Sequence, residues 1–188
     1  MSKPVPHNHP LRQLLTDLTE RTFSQKLRWP DPPVVHYVSN LLLDFTHVDH
    51  LYRIRNAKGK RLEEVAGMLL EADLLLNAGS FEREREVHRH IGDFTLFMVG
   101  IFPEFLKRIK IRQWIHQPDF LIDYIKVGKH SYRNVSEFNY GEYKQFVPLF
   151  RKLSDNFELC VIGLGYIKAA LDHLQNSEYR QVKNNLMN

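Results

Sequence analysis

The chain has 188 residues, 43% hydrophobic and 26% charged, with twelve Phe and eight Tyr; such a chain folds as one aromatic-cored domain, buries roughly 70% of its unfolded surface and is not intrinsically disordered. A net charge of +4 is too small to specify a polyanionic partner, and the single cysteine, Cys160, excludes an internal disulfide. The longest charge-free apolar stretches, Phe94 to Pro103 and Leu159 to Ile167, are far shorter than the ~20 residues that cross a bilayer, so a soluble protein of the reducing cytoplasm is expected.

Residues 1–10 are polar, carry Pro4, Pro6 and Pro10, and read as a mobile arm without a secretory leader. From Leu11 to Leu27 the apolar positions Leu11, Leu14, Leu15, Leu18 and Phe23 follow helical spacing, and Pro10 suits a first turn. Asp31 before Pro32 is a helix-start pair, and Val34, Val38, Leu41, Phe45 and Val48 continue a second stripe to about His50. A basic loop containing Gly59 leads to a third stripe, Leu62, Val65, Ala66, Leu69 and Leu76, closed by Gly79 as a left-handed cap. Ser80 can cap a fourth helix, from Phe81 to about Phe102. Its first half, Glu82 to Glu86, is charged and solvated, and its second half, from Phe94, is almost wholly apolar and central. Pro103 ends or kinks it.

Asp119 opens a fifth helix, in which Leu121, Tyr124, Gly128, Ser131, Tyr132 and Val135 form a face with two small residues that a neighbouring helix can approach. Asn139 with Glu142, and Asp155 with Glu158, have capping-box spacing. They start a sixth helix interrupted by Pro148 and a seventh that runs to about Gln175. The seventh is expected to bury Leu159, Ile162, Tyr166, Ala170 and Leu174. With no alternating strand segment, internal repeat or linker, the expectation is an all-α bundle of six or seven helices over residues 11–188, with no sheet beyond a stray bridge.

Two carboxylates stand out. Asp73 shares a stripe with Leu62, Ala66, Leu69 and Leu76, and Asp93 stands where the fourth helix turns apolar, one turn beyond Arg89 and His90. An ionised carboxylate inside a protein needs a partner. Each is therefore expected either to be held by an arginine, a hydroxyl or a helix-end amide, or to converge with the other on a site. Asp93 can accept from the hydroxyl of Tyr124 or Tyr132. The candidate ligand-binding or buried polar network is accordingly Asp73, Arg89, His90, Asp93, Tyr124 and Tyr132.

Metal chemistry is disfavoured despite ten histidines. His88 and His90, two apart on a helix, diverge by about 200°, and no Glu-x-x-His pair of the di-iron kind occurs. Asp44 and His47, on a face with His36 and Asn40, supply only one pair at that spacing. Nucleophilic catalysis lacks a serine elbow, and Cys160 sits in an apolar run as a small buried hydrophobe. Gly163-Leu164-Gly165 lacks the third glycine and preceding strand of a dinucleotide loop. Two basic blocks, Arg53 to Arg61 and Lys107 to Arg112 near Trp114, read as solvated loops, so nucleic acid is a minor alternative.

The run from Gly92-Asp93-Phe94 through Leu96-Phe97, Gly100 and Phe102-Pro103-Glu104, followed by Asp123-Tyr124-Ile125, Gly128 and Ser131-Tyr132, resembles a bacterial all-helical family to which no activity is attached. This chain has Asp123 and Ser131 where that family has a tyrosine and an alanine. The resemblance implies a bacterial helical domain and no mechanism. The expectation is a non-catalytic binding or interaction module without cofactor or metal. Its occupant would be a protein partner, a small apolar ligand or a second copy. The alternatives are a small-molecule or metal-dependent enzyme with a site between helices, and a polyanion binder.

Overall fold

His9 accepts a hydrogen bond from the Leu11 amide at its Nδ1 (3.2 Å) and Pro10 occupies the first turn, so helix α1 (Pro10–Arg21) begins where an imidazole replaces the usual capping oxygen. The structure, a computed structural model, describes residues 9–56, 58–73, 78–104, 106, 120–174, 180 and 184. Among them are eight α-helices and no strand; none of the helices is long and apolar enough to cross a membrane. Residues 1–8 of the stretch expected as an arm, the basic block at 107–112, Trp114 and Asp119 lie outside the described residues, whereas His9 and Pro10, counted in that stretch, open α1. The chain divides into two compact units, one of residues 1–51, 97–116 and 158–188, the other of residues 52–96 and 117–157.

In the first unit, α1 runs on through a π-helical turn (Thr22–Lys26), in which the Leu27 amide reaches back to the Thr22 carbonyl at 3.0 Å. Leu11, Leu15, Thr19 and Phe23 are buried along this segment. Asp31 caps α2 (Pro32–Asp44) by accepting from the Val34 amide at 3.3 Å. Val34, Val38, Leu41 and Phe45 are buried, as their spacing requires.

The second segment does not run unbroken to His50. It stops at Asp44 and resumes as a short helix, α3 (Val48–Leu51). At the break the Thr46 and His47 amides bond three residues back, to Leu43 and Asp44, and the Thr46 hydroxyl donates to the Leu43 carbonyl at 2.7 Å. A hydroxyl that competes for helix carbonyls tightens and ends the turn. This break accounts for eight helices where seven segments are legible.

Residues 97–104 and 106 and most of helix α8 (Phe157–His173) also belong to this unit. A Cβ at Gly100 would stand 2.5 Å from the Leu164 Cβ. Lys168 donates to both carboxylate oxygens of Glu104 at 2.9 and 2.8 Å. The buried face of α8 is Cys160, Leu164, Ile167 and Leu171. This corrects the sequence-based choice, since Ile162 is 52%, Tyr166 48% and Leu174 55% exposed. Because α8 is apolar around most of its circumference, two stripes satisfy helical spacing and periodicity alone cannot rank them. Burial pushes the Cys160 thiol up to about 12, so it stays protonated and inert.

In the second unit the basic loop closes through an isolated antiparallel bridge between Arg55 and Arg61. Within it the Asn56 side chain accepts from the Lys58 and Lys60 amides, both at 3.0 Å. The third stripe is shorter than its pattern: Leu62 bonds back to Ile54 (2.9 Å) in the loop, and α4 covers only Val65–Ala72. Leu76 lies outside the described residues.

Gly79 takes the left-handed conformation (φ 67°), and Ser80 caps α5 (Phe81–Ile101) by accepting from the Arg83 amide at 3.1 Å. Residues 81–96 of α5 belong to the second unit and 97–101 to the first. From Val87 onward the helix is buried except at Arg89, which agrees with the charged-to-apolar change along it.

Then come α6 (Phe120–Glu137), a 3₁₀ helix (Gly141–Phe146) and α7 (Val147–Asp155), with Pro148 in the first turn of α7. Neither capping box forms as spaced. Tyr140 precedes the 3₁₀ helix without a side-chain cap. Asp155 ends α7 and accepts from Arg133 Nη2 at 2.7 Å. A chain that enters a 3₁₀ helix leaves its amides in a different register from the one the box satisfies.

Candidate functional site

Asp93 lies on the buried stretch of α5 and is 5% exposed. Opposite it on α6 stands Tyr132, fully buried, whose hydroxyl donates to Asp93 Oδ1 at 2.8 Å. Arg89 Nε is 3.8 Å from the other carboxylate oxygen, one helical turn back, and its side chain reaches solvent. The aspartate thus has a neutral donor in the interior and a cation at the rim, the combination that makes a buried carboxylate tolerable.

The close approach of α5 to α6 depends on glycine. A Cβ at Gly92 would stand 2.5 Å from the Tyr132 ring, and one at Gly128 would meet Thr95 Oγ1 and Phe157 Cζ at 2.4 Å each. Tyr132 also packs between Phe150 and Phe157, with ring centroids 5.7 and 5.9 Å away.

Asp73 does not join this group. The stripe that would turn it inward ends at Ala72; Asp73 has left the helix with an extended backbone (ψ 114°) and is exposed. The physical reason for this correction is that helical spacing carries no directional information past the last helical residue. Tyr124 is nearly buried, but its charged neighbour is Glu64 and its phenolic neighbour Tyr52. Burial first, then the Glu64 charge and Tyr52, raise it to about 12, and burial with the Glu63 charge raises Tyr52 to about 12. Both hydroxyls therefore remain donors at neutral pH. His90 is fully buried with its ring 6.3 Å from that of Phe94.

His88, two residues earlier, points to α6 instead. Asn134 Nδ2 donates to His88 Nε2 at 3.2 Å, which leaves the proton on Nδ1, 3.4 Å from Ser131 Oγ. Sequence reasoning noted that His88 and His90 diverge but missed this second polar link. Its available signal was the polar pair Ser131 and Asn134, one helical turn apart.

Burial and, secondarily, the charge of His130 lower His88 from 6.5 to about 4. The folded protein thus keeps His88 neutral where the unfolded chain protonates it. Stability is full above about pH 6.5 and declines toward pH 4, by at most about 3 kcal/mol. Urea titrations at pH 7 and pH 4.5 should show a smaller loss for His88→Gln than for the wild type; equal losses would refute this account.

Elsewhere, His50 Nδ1 lies 2.7 Å from Asp44 Oδ1, and the His47 and His50 ring centroids are 5.2 Å apart. Asp44 therefore engages His50 across the helix break, whereas His36 contacts Asn40, which accepts from Arg12 at 3.2 Å. An imidazole held by a carboxylate is oriented as in general-base catalysis. Among the described residues no three His, Cys, Asp or Glu side chains are grouped so as to hold a metal ion.

The chain was compared with protein-family models, curated proteins and solved structures, and none matches.

Proposed function

We propose that this protein is a non-catalytic interaction module that docks a protein partner through the outer face of α8. The supporting observation is the set of Ile162, Tyr166 and Ala169, all exposed, on the side opposite the buried Cys160, Leu164 and Ile167. A solvated helix normally carries charges at such positions, and a contiguous apolar face on a surface helix is characteristic of binding. A side chain added at Gly165, on the same face, would meet nothing within 4 Å, which leaves room for a partner helix to come close.

The polar cluster around Asp93 supports the non-catalytic part of this reading. Its carboxylate is engaged by Tyr132 within the interior, a role in helix register and not in turnover.

The test is native mass spectrometry of protein purified from its own host cells, paired with the Ile162→Asp/Tyr166→Asp double variant. The wild type is expected to carry a stoichiometric protein partner or a second copy. The double variant should lose it while its thermal midpoint stays within about 2 °C, since exposed substitutions rarely exceed ±0.5 kcal/mol. A bare wild-type monomer would overturn the proposal, as would a partner retained equally by the double variant.

A further inference from the structure

A second surface, in the other unit, has a different chemistry. Gly141 (φ 51°) turns the chain into the 3₁₀ helix Gly141–Phe146, in a left-handed conformation that glycine adopts at little cost. With three residues per turn, side chains three apart eclipse one another. Tyr143 and Phe146 therefore fall on one side of it, and Tyr140, the extended residue just before it, sets its ring edge to face on Tyr143 at 5.8 Å, which extends the row into an aromatic ladder. No residue of this 3₁₀ helix is buried. Tyr140 is 47% and Phe146 41% exposed, and Phe81 at the start of α5 is 58% exposed.

The ladder already holds one cation. The Arg85 guanidinium carbon sits 4.2 Å above the Tyr143 ring centroid, with Phe150 at 5.8 Å and Phe146 at 6.0 Å, inside cation–π range. The surroundings are acidic: residues 81–86 and 137–146 hold Glu82, Glu84, Glu86, Glu137 and Glu142 against Arg83, Arg85 and Lys144, a net of −2 in a chain of +4. Arg83 is engaged by Glu71 at 3.3 Å and Glu86 at 3.2 Å. Glu82 and Glu84 hold no ion pair among the described residues, and their charges act on the Tyr140 hydroxyl.

We infer that the Tyr140–Phe146 ladder with Glu82 and Glu84 is a docking surface for an arginine-bearing basic peptide segment of a partner protein. Arg85 over Tyr143 shows that these rings accept a guanidinium at cation–π distance; Tyr140 and Phe146 offer further ring surface to solvent, and the two glutamates supply the opposite charge. Arginine suits the surface better than lysine because a planar guanidinium stacks on an aromatic face while remaining able to pair with a carboxylate. An anionic partner would meet the wrong sign of charge.

The test is fluorescence anisotropy of dye-labelled hexa-arginine and hexa-lysine peptides titrated with the full chain. Saturable binding of hexa-arginine is expected, several-fold tighter than hexa-lysine. Tyr140→Ala/Phe146→Ala should weaken it about tenfold, the effect of losing two exposed cation–π contacts. Glu82→Gln/Glu84→Gln should weaken it less and flatten its salt dependence. Ile162→Asp/Tyr166→Asp should bind the peptide as the wild type does, so this surface is tested separately from α8. No saturable binding, equal affinity for the two peptides, or unchanged affinity in Tyr140→Ala/Phe146→Ala with a native circular dichroism spectrum would each overturn the inference.

Discussion

Replacing Tyr132 by alanine is expected to destabilise the protein by roughly 3–5 kcal/mol, the cost of emptying a large aromatic site from a packed core. Two losses combine. The ring fills the space between Phe150 and Phe157 and lies over Gly92, and the hydroxyl is the donor that Asp93 receives at 2.8 Å. The two separate by chemistry, because Tyr132→Phe keeps the ring and removes only the donor. That variant should lose about 1–3 kcal/mol, since a buried acceptor is left short of a partner.

A double-mutant cycle with Asp93→Ala completes the measurement. If the bond couples the two residues, the double variant Tyr132→Phe/Asp93→Ala should be less destabilised than the sum of the single variants. Strict additivity in urea denaturation would show that the contact carries no energy, and the account of Asp93 as a register-fixing residue would fail.

The second large effect concerns Gly128. On an open helix surface, glycine to alanine gains up to about 1 kcal/mol of helix propensity. Here the sign should reverse, because the new methyl carbon would stand 2.4 Å from both the Phe157 ring and Thr95 Oγ1. Thr95 cannot easily turn aside, since its hydroxyl donates to the Ile91 carbonyl at 2.7 Å in a fully buried setting. A net loss of about 1–3 kcal/mol is expected from overpacking. Phe157→Leu in the Gly128→Ala background should recover part of it by withdrawing the ring. A Gly128→Ala variant as stable as the wild type would mean that α6 can move outward freely, contrary to the packing described.

These two sites also show which kinds of structure the sequence makes legible. The small-residue face of α6 is written locally, because Gly128, Ser131, Tyr132 and Val135 recur at helical spacing, and Asp31 and Ser80 announce their helices through bonds that span only three residues. That Asp93 requires a donor follows from its apolar neighbours. Which tyrosine supplies it depends on how α5 and α6 pass each other, and Tyr124 and Tyr132, eight residues apart on one helix, look equivalent until that crossing is known.

The misreadings share a cause. On α8 both faces are apolar, so spacing proposes two interiors and only packing selects Leu164 over Ile162. At Thr46 a single hydroxyl ends a helix whose apolar pattern continues. Asp73 keeps its place in a stripe that the backbone has already left. In Gly141–Phe146 a repeat of three cannot be told from one of 3.6 over six residues, so the aligned rings and the cation above them are invisible in the sequence.

The burial of Cys160 has a consequence for the motions of the molecule. Its sulfur is the chain's only thiol, fully enclosed and protonated at neutral pH, so a thiol-directed reagent can act only during the intervals when α8 lifts from its unit. The rate of that modification is then a clock for local opening, and its dependence on denaturant separates a brief departure of one helix from unfolding of the whole unit. The fold thus carries its own reporter of how often α8 is seated in its unit.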